Sequence, residues 1–360
     1  MTNSRKILKV LPVLGLLALA SCGDSAEPPP PELALSFSDP IIDLQGVEAR
    51  FAADVPYGEA ERNVFDIYLP DCAESTPLVL YFHGGGFTGG DKSAGHRGGQ
   101  AASAREMLAD CIAFATANYR LLKIPSGSEG TSSIPGQGGV QTSLDDAARV
   151  LQFIRYYAHS LNVDPERVAV YGASAGAGIS LWLGTTDDLA NPASDDPVER
   201  ESSRVSAVGA FATQATYDIM DWEAILLPLT SQFAGALGGT DIPTVAAAVG
   251  AKNYLLTFLA QETIEGLYTE EAKAYQARVD MLENMDAGDA PIYVHNYRTG
   301  LSNLLDTFLH HSLHAIAVHE RAVEVGVEVV SYAEGPEPYV LEDASGENLG
   351  EFFRRHLGVD

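Results

Sequence analysis

Ser174 stands at the centre of Gly172-Ala-Ser-Ala-Gly176, directly after the apolar run RVAVYG and before small residues that can open a helix. A serine on a tight strand-to-helix turn has its Oγ lifted clear of the backbone, and the helix N-terminus favours negative charge developing beside it, so Ser174 is a candidate nucleophile. The glycines suit a turn where side chains at 172 and 176 would strike neighbouring backbone. Five residues alone are a weak signal. A second motif, His83-Gly-Gly-Gly-Phe87, follows its own apolar run, LVLYF. Consecutive glycines let backbone N–H groups approach an oxyanion where side chains would block access. No GxGxxG or P-loop lysine pattern follows it, which disfavours a phosphate-binding loop. The pair of motifs, each behind a strand, is much more specific than either one.

With both motifs in place, the chain resembles the α/β-hydrolase fold, and within it the carboxylesterases and lipases of the hormone-sensitive-lipase-like group. The likeness runs from Val64 to Leu357 and is densest from Tyr81 to Leu183, through YFHGGGFTGGDK, ATANYRL, DDAARVLQFIR and LNVDPERVAVYGASAGAG. It implies a mostly parallel α/β-hydrolase sheet flanked by helices. It also implies a serine esterase that cleaves a small carboxylic ester through an acyl-enzyme, with no cofactor and no metal. Carried onto this sequence, the oxyanion hole comprises the N–H groups of Gly85, Gly86 and Ala175, and His83 braces the loop.

The chemistry also needs an imidazole to take and return the proton, and a carboxylate to hold that imidazole's tautomer. The family supplies the acid just past its seventh strand and the histidine past its eighth. This sequence departs from both. After PIYVHN no carboxylate occurs until Asp306, and after VEVVSYA the stretch EGPEPYVLED contains no histidine. Of the nine histidines, His83 belongs to the glycine loop and His96 to a Gly-rich stretch beyond it. His159 ends a helix, His295 matches a structural position, and His356 sits in a terminal helix. His310, His311, His314 and His319 remain. Ser312 reads as the N-cap of the helix before the last long strand. His310 and His311 then fall in a loop at the carboxyl edge of the sheet, where open α/β sheets place their sites. The expected base is therefore His311, or else His310, and the expected acid is Asp306 or Glu334. Three alternatives stand beside this one: a non-catalytic binding protein that has lost its base, a peptidase or amidase on the same scaffold, and a metal pair at His310 and His314. The last has no third ligand and no HExxH pattern. Asp145 and Asp146 fit the N-terminal dipole of a helix better than acid catalysis, and Asp187, Asp188, Asp195 and Asp196 read as a solvated loop.

Seven apolar runs must position these groups: VFDIYLP (64–70), LVLYF (78–82), IAFATANY (112–119), RVAVYG (167–172), VSAVGAFAT (205–213), PIYVHN (291–296) and VEVVSYA (327–333). Helical segments between them, Ala101 to Leu108, Leu144 to Ala158 and Ala175 to Leu183, argue for a parallel sheet covered on both faces. The long interval from 217 to 290 exceeds an ordinary crossover and carries helical spacing, as expected of a cap insertion. No internal repeat of fixed period is present.

The 360 residues are 46% hydrophobic, enough for a sizeable core, and carry a formal charge of -27. Such a charge repels phosphates and anionic lipid surfaces, so a nucleic-acid partner is disfavoured. Arg5, Lys6 and Lys9 precede VLPVLGLLALA, a run too short to span a bilayer comfortably. The segment ends Leu19-Ala-Ser-Cys22, which resembles the lipobox of bacterial lipoproteins. The expected organisation is a signal peptide at 1–21, a Pro-rich tether at 22–40 starting from a lipidated Cys22, and a hydrolase domain at 41–360. The protein would then lie in the bacterial cell envelope, meeting the membrane through its lipid anchor only. Export makes a disulfide between Cys72 and Cys111 possible, since both lie near the same end of neighbouring strands.

Overall fold

The computed structural model describes residues 32–72, 74–125, 138–299, 303–335 and 339–359. The expected signal peptide, Cys22 and the first part of the Pro-rich stretch lie outside the described residues. Among the described residues ten strands form one sheet: β1 (Phe37–Ser38), β2 (Ala49–Pro56), β3 (Val64–Pro70), β4 (Thr76–Phe82), β5 (Ala113–Ala117), β6 (Val163–Ala173), β7 (Ala207–Phe211), β8 (Ile292–Asn296), β9 (Val329–Glu334) and β10 (Val340–Glu342). Their order is β1-β2-β3-β5-β4-β6-β7-β8-β9-β10. The six strands from β5 to β9 in that order run parallel, and the flanking pairs are antiparallel.

Alternation along the central strands explains why both faces are covered. Leu78, Leu80 and Phe82 of β4 and Val168 and Val170 of β6 enter one core, while Val79, Tyr81, Ala169 and Tyr171 enter the other. Helices α1 (Gly98–Ala109) and α12 (Leu349–Leu357) cover the second face, where Tyr171 meets Phe353. Helices α2 (Gln141–Tyr156) and α4 (Ala175–Thr185) pack into the first core, with the one-turn α3 (Ala158–Leu161) between them in sequence. The insertion expected at 217–290 is helical: α5 (Trp222–Ile225), α6 (Leu227–Leu237), α7 (Ile242–Ala248), α8 (Lys252–Phe258) and α9 (Glu270–Val279). Between β8 and β9 lie α10 (Leu304–His310) and α11 (Leu313–Val325).

Two boundaries differ from the sequence expectation. The folded body begins inside the stretch assigned to the tether: Phe37 and Ser38 pair with Ala52 and Phe51, and Leu33 and Leu35 pack on the core. The segment expected as a loop around residue 306 is helical, because Asn303 accepts a hydrogen bond from the Asp306 N–H and caps a short apolar run. Cys72 and Cys111 form a disulfide with Cα atoms 6.2 Å apart. Among the described residues no helix is long and apolar enough to cross a membrane.

Candidate active site

β6 ends at Ala173 and α4 opens at Ala175, so Ser174 alone makes the turn, with φ 56° and ψ -123°. A non-glycine residue holds this conformation only where its surroundings over-determine it. Here the Ser174 N–H donates to the Phe211 carbonyl at 3.0 Å, and the Ser174 carbonyl accepts from the Gly178 N–H at 3.1 Å. The two flanking glycines are required by backbone contact. A Cβ on Gly172 would lie 2.3 Å from the Gly176 carbonyl carbon, and one on Gly176 would lie 2.0 Å from the Phe82 oxygen.

The glycine loop after β4 lies against this elbow, since a Cβ on Gly84 would stand 2.8 Å from the Ala173 oxygen. Gly85 and Gly86 take φ of 120° and 57°. His83 is fully buried, stacks on Tyr119 with ring centroids 4.3 Å apart, and donates from Nδ1 to the Gly84 carbonyl at 2.7 Å. Its Nε2 then accepts from Arg62 at 3.2 Å. Burial pushes its pKa down to about 4, which suits a neutral brace. The Ala175 N–H, first in α4, has no intrahelical acceptor. Gly86, Ser174, Ala175, Gln214, Tyr254 and Leu309 line a narrow cleft. A neighbouring apolar pocket shares Tyr254 and Leu309 with it and reaches residues of the helical insertion such as Ile242, Val245 and Ala246.

Helix α10 brings the acid and the imidazole. Asp306 and His310 are four apart, so they project from one helical face. His310 Nδ1 lies 2.8 Å from Asp306 Oδ1, and its Nε2 lies 2.7 Å from Ser174 Oγ. With Nδ1–H donated to the carboxylate, Nε2 is free to accept the serine proton. Arg298 donates to the other carboxylate oxygen, Oδ2, at 3.0 Å.

The sequence pointed first to His311, and this is corrected: the imidazole at Ser174 is that of His310. Successive helical residues are rotated by about 100°, so only one of two adjacent histidines shares the Asp306 face. His311 is buried, and its Nδ1 accepts from the Leu313 N–H at 3.1 Å. Glu334 stays exposed; Ser312 holds the N-cap position of α11 as expected, but its hydroxyl donates to the Glu334 backbone carbonyl and makes no capping hydrogen bond. His314, the other half of the metal pair considered from sequence, is buried and spends both ring nitrogens on backbone groups. Asp146 lies within α2 and forms a two-pronged pair with Arg120 in place of a helix cap. Asn303 and Arg298 escaped sequence reasoning. For Asn303 a signal existed, an Asn three residues before an Asp at the head of an apolar run.

A family model, BD-FAE, matches residues 65–226, a stretch that holds both glycine motifs but neither Asp306 nor His310. Among solved structures, a truncated carbohydrate esterase from gut microbiota superposes with a TM-score of 0.56 at 14% identity, over 91% of this chain and 99% of that one. An acetyl ester-xyloside bifunctional hydrolase from Caldicellulosiruptor lactoaceticus gives 0.53 at 17% identity, over 82% and 88%. The fold is that of the α/β-hydrolases. In sequence, the chain is similar to gut esterase 1 of Caenorhabditis elegans, 33% identical over 121 residues, 34% of this chain and 20% of that protein. It is also similar to a secreted lipase of Arthroderma benhamiae, 28% identical over 169 residues, 42% of this chain and 33% of that protein. The matched stretches thus span a fifth to a third of these relatives' own length.

Proposed function

We propose that this protein is a serine hydrolase that cleaves carboxylic esters through an acyl-enzyme. The observation that carries this is the continuous chain from Ser174 Oγ through His310 to Asp306, at 2.7 and 2.8 Å. His310 Nε2 takes the Ser174 proton as Oγ attacks the ester carbonyl, and Asp306 stabilises the imidazolium. The N–H groups of Gly85, Gly86 and Ala175 stabilise the oxyanion. Collapse of the tetrahedral intermediate expels the alcohol with the proton from His310. Water, activated by the same imidazole, then releases the acid. The esterase and lipase names of the sequence relatives support an ester in place of an amide. The apolar cavity beside the cleft supports an uncharged, apolar acyl group.

A fluorophosphonate probe tests this. Wild type labels, Ser174→Ala does not, and His310→Ala labels far more slowly than His311→Ala. Equal labelling of the two histidine variants would overturn the assignment of His310. We also propose that the mature chain starts at a lipidated Cys22 in the cell envelope, a location that accords with the disulfide. Radiolabelled palmitate incorporated into wild type but not into Cys22→Ser is the expected result; equal incorporation in the two would overturn it.

A further inference from the structure

Helix α10 is seven residues long and carries both partners of Ser174. An isolated helix of that length is unstable in water, and its last four carbonyls have no intrahelical donors. Each of these carbonyls has a donor here. Thr307 O accepts from the His311 N–H at 2.8 Å. The side chains of His314, Gln214 and Asn296 take the other three: His314 Nε2 meets Phe308 O at 2.9 Å, Gln214 Nε2 meets Leu309 O at 2.6 Å, and Asn296 Nδ2 meets His310 O at 3.0 Å.

These three side chains come from three separate elements: the segment after β7, the last residue of β8, and α11. Each is buried. His314 is itself fixed, because the Ala215 N–H donates to its Nδ1 at 3.3 Å and Trp222 meets its ring edge-on at 4.8 Å. Asn296 is fixed likewise, with its Oδ1 accepting from the Arg298 N–H at 3.0 Å. Arg298 in turn donates to Asp306, so the same network reaches the acid.

We infer that Gln214, Asn296 and His314 form a clamp on the C-terminal carbonyls of α10 that sets the reach of His310 to Ser174; they are positioning residues and act through that helix. The inference rests on the proposed hydrolase function. A helix free to rotate or slide by a fraction of an ångström would lengthen the 2.7 Å contact between His310 and Ser174, and misplacement of that order slows turnover without altering what the cleft binds. Burial holds the His314 pKa down to about 4, so the ring keeps one donor and one acceptor at neutral pH, as its two backbone partners need.

The experiment measures kcat and KM on p-nitrophenyl acetate, with unfolding midpoints, for wild type, Asn296→Leu, His314→Leu and His314→Gln. Asn296 and His314 are chosen because, unlike Gln214, they do not line the cleft. The expected result is a kcat lower by about tenfold to a hundredfold in the two Leu variants, with KM within about threefold of wild type. His314→Gln, whose amide can still donate to Phe308, recovers most of the loss. Wild-type kcat in both Leu variants would overturn the clamp. So would a His314→Gln variant that folds yet is as slow as His314→Leu. A wild type that turns over nothing would instead sink the hydrolase function itself, and the clamp with it.

Discussion

At the scale of single residues, the site depends on which of two adjacent histidines faces Asp306. Asp306→Asn keeps the shape of the side chain but turns an amide toward Nδ1, which favours the wrong tautomer. Its kcat should fall by about 10²- to 10⁴-fold with little change in KM. Retention of full kcat would show that the carboxylate has no role. Gly176→Ala places a methyl group 2.0 Å from the Phe82 oxygen, a contact backbone must shift to relieve. The expected outcome is an inactive protein with a lowered unfolding midpoint, whereas Gly99→Ala, where a Cβ meets nothing within 4 Å, should leave both unchanged.

At the scale of elements, α10 and the helical insertion carry separate consequences. Removing the Asn303 side chain cap by Asn303→Ala should cost about 1 kcal/mol of helix stability. Because α10 carries both partners of Ser174, kcat should drop more than the global unfolding midpoint does, and calorimetry beside steady-state kinetics would show the split. In the insertion, Ala246 borders the apolar pocket next to the cleft. Ala246→Trp should shift the preferred acyl length of a p-nitrophenyl ester series toward shorter chains. An unchanged profile would mean that the acyl group lies elsewhere.

For the whole molecule, stability against pH follows from groups of opposite sign. His83 and His314 are held near 4 by burial. The unfolded chain therefore binds protons below about 6.5 that the native state refuses, and stability is lost as pH falls from there toward 4. Asp218 is pushed up to about 7 by burial and by its neighbours Asp221 and Asp280. The native state keeps that proton where the unfolded chain has released it, so this contribution is lost as pH rises from about 4 through 7. Asp218→Asn should thus raise the unfolding midpoint at pH 8 and change it little at pH 4; the reverse ranking would show that Asp218 is not strained at high pH. The disulfide closes a span with a sequence separation of 39. Its loss in a Cys72→Ser, Cys111→Ser variant should cost about 2–4 kcal/mol, measured by denaturant unfolding.

Alternating apolar runs and two glycine motifs, each behind a strand, were enough to read the parallel sheet, the elbow at Ser174 and the glycine loop beside it. The contact that requires Gly172 is local, with Gly176 inside the turn, whereas Gly176 is required by Phe82 at the end of the neighbouring β4, so the two motifs are legible because adjacent parallel strands end side by side. Asp306 was legible as one of two candidate acids beside Glu334, being the first carboxylate past the strand that ends at Asn296. The choice between His310 and His311 was not, because it depends on whether the intervening residues are loop or helix. Asn303 and the donors converging from β8, α11 and the segment after β7 make them helical. Position along the chain thus named the candidates, and helical phase, a property of the assembled structure, placed the His310 imidazole at Ser174.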